Sequence, residues 1–154
     1  MDQEYEERIN RFIEKNSVEC EHLVFEHSCH SVREACKATG ATPSDFIKSV
    51  CFLSGGGPVV AIVSGSDRAS LRRVMRATGL DNIRLANSEE VEEHLGYPAG
   101  GVPPIGYKAC VLLDDKLIDK EMVWAGGGSV RSLMRISPKE ISRISNAKII
   151  RVRK

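Results

Sequence analysis

No apolar run in the 154-residue chain approaches the roughly 18–20 residues a membrane span needs; the longest cover residues 59–63 and 109–113. Disulfides are not expected either, since the five cysteines (20, 29, 36, 51 and 110) are odd in number and contain no CxxC pair. Walker A, HExxH and GxSxG patterns are missing, and Gly55-Gly56-Gly57 lacks dinucleotide-fingerprint spacing, so neither a nucleotide nor any other cofactor is expected. The soft ligands Cys20, His22, His27, Cys29 and His30 fit no zinc spacing and overlap an expected strand, whose side chains alternate in direction, so no metal is expected. An acidic start (Asp2, Glu4, Glu6, Glu7) is the reverse of a secretory or mitochondrial leader, which makes the cytoplasm the expected location.

What is present is ordinary globular composition, with 42% hydrophobic and 28% charged residues, and the length fits one domain over residues 1–154. The formal charge of +1 hides an uneven distribution: residues 1–34 carry nine acids against four bases, and residues 131–154 carry eight bases against Glu140 alone. A second basic cluster, Arg68, Arg72, Arg73 and Arg76, lies near mid-chain. Solvated faces are the plain reading of such clusters, but either could also meet a polyanion locally.

Tyr5, Ile9, Phe12 and Ile13 repeat at helical spacing, and residues 22–26 read as a strand. Ser31 with Glu34 forms a capping-box pattern stopped at Gly40, and Thr42, Pro43 and Asp45 predict a helical turn. Residues 47–53 and 58–64 form an expected hairpin around the three glycines. A helix is expected over 66–78, a strand over 82–86 and a short helix capped by Ser88 and ended by Gly96. Residues 108–113, 116–119 and 122–125 read as a meander; an extended piece then runs to Ile136, a helix starts at Ser137 and a last strand covers 148–152. This pattern is mixed α/β (α+β): a curled mixed sheet or barrel-like core flanked by helices.

Three features stand apart. The Gly/Pro-rich stretch 96–106 can bring bare backbone to a ligand while its prolines hold the path rigid. Lys48 interrupts an apolar strand, where its charge must reach solvent or a polar cleft. Ala125-Gly126-Gly127-Gly128 is a second stretch of bare backbone. Taken alone, a surface connection, an edge-strand lysine and a flexible turn would account for them.

In this order, however, with Phe25-Glu26-His27, Ser31-Val32-Arg33-Glu34-Ala35, Ile47-Lys48-Ser49-Val50, the GxxxP from Gly100 to Pro104, and Ile136-Ser137-Pro138, the chain resembles the YbaK/ProX family. These are stand-alone aminoacyl-tRNA deacylases whose fold also occurs as the editing domain of bacterial prolyl-tRNA synthetases. The resemblance implies the same fold and trans-acting hydrolysis of mischarged tRNA, with a small amino acid on a tRNA such as tRNA-Pro as substrate. It implies that Lys48, helped by Ser49, contacts the terminal adenosine and phosphate, and that the Gly100 and Gly101 backbone holds the ester and the attacking water. Phe25, His27, Ser31 and Val32 would line the amino-acid pocket, with Pro104, Ala125 and Gly126 as further substrate contacts. Ala125 stands where some members have a hydroxyl, and Gly128 and Ser129 where a basic residue is usual, which leaves the amino acid open.

The chemistry is consistent with a chain lacking a catalytic triad. An aminoacyl ester is activated, and one preorganised backbone donor contributes about 3–4 kcal/mol to oxyanion stabilisation. The expected partners are aminoacyl-tRNA and an aminoacyl-tRNA synthetase, not a membrane or DNA. Arg72, Arg73 and Arg76, with Arg151, Arg153 and Lys154, are the residues expected on the tRNA body. A non-catalytic tRNA-end or synthetase-binding module and a general aminoacyl esterase are the alternatives.

Overall fold

The computed structural model describes residues 2–154. Helix α1 (Asp2–Lys15) precedes strand β1 (Cys20–Val24), α2 (Val32–Thr39) and a 3-10 turn (Pro43–Asp45). The hairpin β2 (Ile47–Ser54) and β3 (Gly57–Ser64) follows, then α3 (Leu71–Thr78), β4 (Arg84–Leu85) and α4 (Ser88–Leu95). After the Gly/Pro stretch come β5 (Cys110–Leu113), a 3-10 turn (Asp115–Leu117), β6 (Val123–Gly126), β7 (Ser132–Ile136), α5 (Pro138–Ser145) and β8 (Lys148–Ile149). Among the described residues, no helix is long and apolar enough to cross a membrane.

The mixed α/β architecture is as expected, but the strands divide into two sheets and neither closes into a barrel. One sheet has the order β1-β7-β6 and the other β4-β2-β3-β5-β8. The two meet at a parallel bridge between Phe46 and Trp124, whose rings stack with centroids 6.3 Å apart. The parity of β3 explains the layering. Val60 and Ile62 point into a core shared with Ile9, Met134 and Ile141, while Val59, Ala61 and Val63 face Val74, Ile83 and Val152. Strand β3 is therefore covered on both faces, which suits its continuous apolar run.

Local signals set most boundaries. Ser31, Ser70 and Ser137 each cap a helix by accepting the N–H three residues on. Asn87, rather than Ser88, caps α4, in a reciprocal box with Glu90. Helix α3 starts at Leu71 instead of near Ser66, because residues 68–70 are drawn into pairing with the C-terminal segment.

The expected meander is not formed. Strand β5 runs parallel to β3 and β6 runs antiparallel to β7 in the other sheet, because Val111, Leu112 and Leu113 are all buried and need cover on both faces. Residues 116–119 are not a strand: the turn from Asp114 drops the fully buried Leu117 into the core. The last strand is limited to Lys148–Ile149, and residues 152–154 continue as a strap held by side-chain and loop partners.

Candidate active site

Strand β2 pairs with β3 over its whole length, but β4 covers its outer edge only at Phe52 and Leu53. Between the Phe46–Trp124 bridge and that pairing, no strand covers the edge among the described residues. A cavity of about 400 Å³ occupies the gap. Ser31, Val32, Lys48, Ser49, Gly100, Ala125 and Gly126, all expected site residues, line it together.

One end of the cavity is apolar, formed by Cys29, Val32, Ala35, Phe46 and Leu133. The other lies toward Leu85, Ala86 and Val91. Lys48 is half-buried, and its Nζ donates to the backbone carbonyl of Asp67. Burial, followed by the nearby Arg68 charge, pushes its pKa below the ordinary lysine value.

Two glycine segments form the facing wall. Gly100 has φ +88°, and a Cβ there would meet His30 Cβ at 3.0 Å, so backbone conformation and space both call for glycine. The Gly101 N–H donates to Pro98 O (2.9 Å) and its carbonyl accepts from the Gly128 N–H (2.7 Å), so both of its backbone groups are engaged in holding the loops together. A Cβ on Gly101 would lie 2.8 Å from the Ser129 carbonyl carbon. Gly101 thus joins the two loops from behind the cavity, and Gly100 is the member of the pair that lines it.

Behind this wall, the buried Glu6 of α1 accepts from Ser129 Oγ (2.7 Å) and Arg131 Nε (2.9 Å). The Arg131 partner, more than burial opposes, holds the Glu6 carboxyl below the ordinary glutamate range. Tyr107 fixes the far end of the Gly/Pro loop by donating to Pro103 O at 2.7 Å.

Other expected positions lie elsewhere. Phe25 and His27 line a separate cavity of about 540 Å³ with Glu34 and Lys37, because the chain turns away from the main cavity before Cys29. Pro104 is buried within its loop and does not line the main cavity. Arg72, Arg76, Arg151 and Lys154 are exposed, with Arg73 partly covered. The Arg153 guanidinium is held by Asp114 and Asp115, each at 2.8 Å, so internal carboxylates occupy it rather than a free basic surface.

Phe46, Leu133 and Asp67 belong to the site without having been expected there. The first two look like ordinary core residues, and Asp67 acts through its backbone carbonyl, which carries no residue-type signal.

Residues 26–144 match the aminoacyl-tRNA editing domain. The uncharacterized protein YwhH of Bacillus subtilis (strain 168) is 32% identical over 127 residues, which cover 81% of each chain. The proline–tRNA ligase of Oleidesulfovibrio alaskensis is 30% identical over 121 residues, 75% of this chain but only 21% of the ligase. Among solved structures, a candidate trans-editing enzyme for prolyl tRNA synthetase superposes with a TM-score of 0.89 at 31% identity, with 97% of each chain covered. The matched residues hold the lysine-bearing strand, both glycine walls and the apolar end of the cavity, and by that match the chain belongs to the aminoacyl-tRNA editing domain family.

Proposed function

We propose that the chain, acting as one editing domain, hydrolyses in trans the ester linking a small amino acid to a mischarged tRNA, with tRNA-Pro as the favoured carrier. The observation that carries this reading is that Lys48 and the glycine wall line one cavity, in which burial pushes the thiols of Cys29 and Cys51 above the ordinary cysteine value and so away from the nucleophilic thiolate. The solved relative named for prolyl tRNA synthetase supports the choice of tRNA.

In this reading, the apolar end takes the amino-acid side chain and excludes large ones by size, as a second sieve requires. At about 400 Å³ the cavity exceeds what a small side chain fills, and the remainder, toward Leu85 and Val91, accepts the terminal nucleoside. Lys48 holds the adenosine and its phosphate by a charge-assisted contact, with Ser49 beside it.

A water attacks the ester carbonyl carbon, and the Gly100 N–H stabilises the oxyanion that forms. Collapse breaks the bond to the ribose oxygen, which takes up the proton the attacking water gives up, leaving the free amino acid and intact tRNA. Gly101 and Gly126 keep the wall in place.

For the tRNA body, the two basic clusters are the contact surface in this reading. Pairing of residues 68–70 with the C-terminal strap brings the start of α3 next to residues 152–154, which are remote in sequence. Arg72, Arg73, Arg76, Arg151 and Lys154 meet its phosphates, and a synthetase supplies the mischarged substrate.

The test is a panel of mischarged tRNAs and the corresponding aminoacyl-adenosines, followed for ester loss. Turnover of small-residue tRNAs in preference to bare aminoacyl-adenosine supports editing. Equal turnover of both marks a general esterase, and binding without ester loss marks a non-catalytic module.

A further inference from the structure

Asp114 is fully buried and takes no direct part in the cavity. Its Oδ1 accepts the backbone N–H groups of Val152 (2.8 Å) and Arg153 (3.1 Å), and its Oδ2 accepts Arg153 Nη1 (2.8 Å). Three donors to one carboxylate satisfy a charge that would otherwise be costly to bury. They also fasten the strap 152–154 to the end of β5.

The strap in turn holds the loop after β3. Ser70 N–H donates to Val152 O (2.7 Å), Lys154 N–H donates to Arg68 O (2.8 Å), and Ala69 bridges Arg153. The next residue back is Asp67, whose carbonyl accepts Lys48 Nζ and whose carboxylate pairs with Lys116 at 2.7 Å. The strap lies outside residues 26–144, whereas Asp114 and the loop it holds lie within them.

Building on the hydrolytic reading above, we propose that Asp114 is a positioning residue for Lys48, acting through the C-terminal strap and the loop that carries the Asp67 carbonyl. A lysine side chain has four flexible bonds, and the ammonium is useful only where a fixed acceptor holds it within reach of substrate. Misplacement of a reacting or binding group by about 1 Å can cost on the order of a hundredfold in rate, even when the change is remote.

The experiment uses the full chain and an aminoacyl-adenosine, so that phosphate contacts of Arg151 and Lys154 do not contribute. With enzyme in excess, Asp114→Asn should lower the rate about tenfold, and Arg153→Met by a smaller factor in the same direction. In a Lys48→Ala background, Asp114→Asn should cause little further loss, because coupled groups are not additive. Hydrogen exchange at the Ser70 amide should accelerate in Asp114→Asn whether or not the variant is active. Where Asp114→Asn does not fold, Arg153→Met carries both comparisons.

An equal fold-loss in both backgrounds, or parental exchange at Ser70, overturns the positioning role. A fully active Asp114→Asn beside an impaired Lys48→Ala overturns it while leaving the hydrolytic reading intact. A fully active Lys48→Ala removes Lys48 from the site and the positioning role with it, and the Ser70 exchange still reports whether Asp114 holds the loop.

Discussion

A Cβ placed on Gly126 would lie 2.2 Å from the carbonyl oxygen of Val102, closer than any real side chain could sit. The end of β6 and the Gly/Pro loop are thus in backbone contact, and the cavity wall exists only while both stay bare. Gly126→Ala should therefore lower stability by about 1–3 kcal/mol, the usual cost of overpacking, and reduce turnover at least tenfold. Gly55→Ala, with open space around it, should alter neither. Thermal melts and ester hydrolysis on both variants check this; a stable, active Gly126→Ala would show that the two loops separate freely.

Lys48→Ala should leave the melting temperature within a few degrees of the parent and remove most hydrolysis of both tRNA and aminoacyl-adenosine substrates. Lys48→Arg should restore little, since the planar guanidinium cannot reproduce a compact ammonium seated on the Asp67 carbonyl. Steady-state rates on both substrates decide it.

Neutralising Arg72 and Arg76, or Arg151 and Lys154, to Gln should weaken tRNA binding and flatten its salt dependence by roughly one counterion per lost phosphate contact. Hydrolysis of aminoacyl-adenosine should not change. Arg153→Gln belongs to a different class, because its guanidinium is held by Asp114 and Asp115. Salt titrations of binding that superimpose on the parent would place the tRNA body on another surface.

Glu6 links α1 to the loop behind Gly101, and Arg131 holds its carboxyl below the ordinary range. A carboxylate with a depressed folded pKa contributes stability that is full above its unfolded pKa, near 4.3, and is lost as pH falls through the folded value. Glu6→Gln should thus cost about 1–2 kcal/mol at pH 7 and progressively less below pH 4. Melting curves from pH 7 to pH 3 should show parent and variant converging in acid, and a constant gap would rule out this carboxylate as the source.

Much of the fold was legible because local chemistry fixes it. Ser31, Ser137 and the Thr42–Asp45 box sit where a helix or turn begins, and the three glycines from Gly55 join the β2–β3 hairpin. The partners of β5 and β6 were not legible. Their lengths and apolar character suit a meander as well as two separate sheets, and only the need to bury Val111, Leu112 and Leu113 on both sides decides between them.

The site divides in the same way. By itself the sequence determined the residue types that had to be unusual: a lysine in an apolar strand, and glycines where backbone must approach backbone. Tertiary structure decided which of them meet. It left the β2 edge open beside Lys48, put Gly100 on the cavity and Gly101 behind it, turned Phe25 and His27 toward another cavity, and drew Arg153 inward to Asp114. Spacing and side-chain type act over a few residues, whereas an unpaired sheet edge, a carbonyl such as that of Asp67, or a buried carboxylate's choice of donors depends on chain segments far apart in sequence, as Phe46 and Trp124 are.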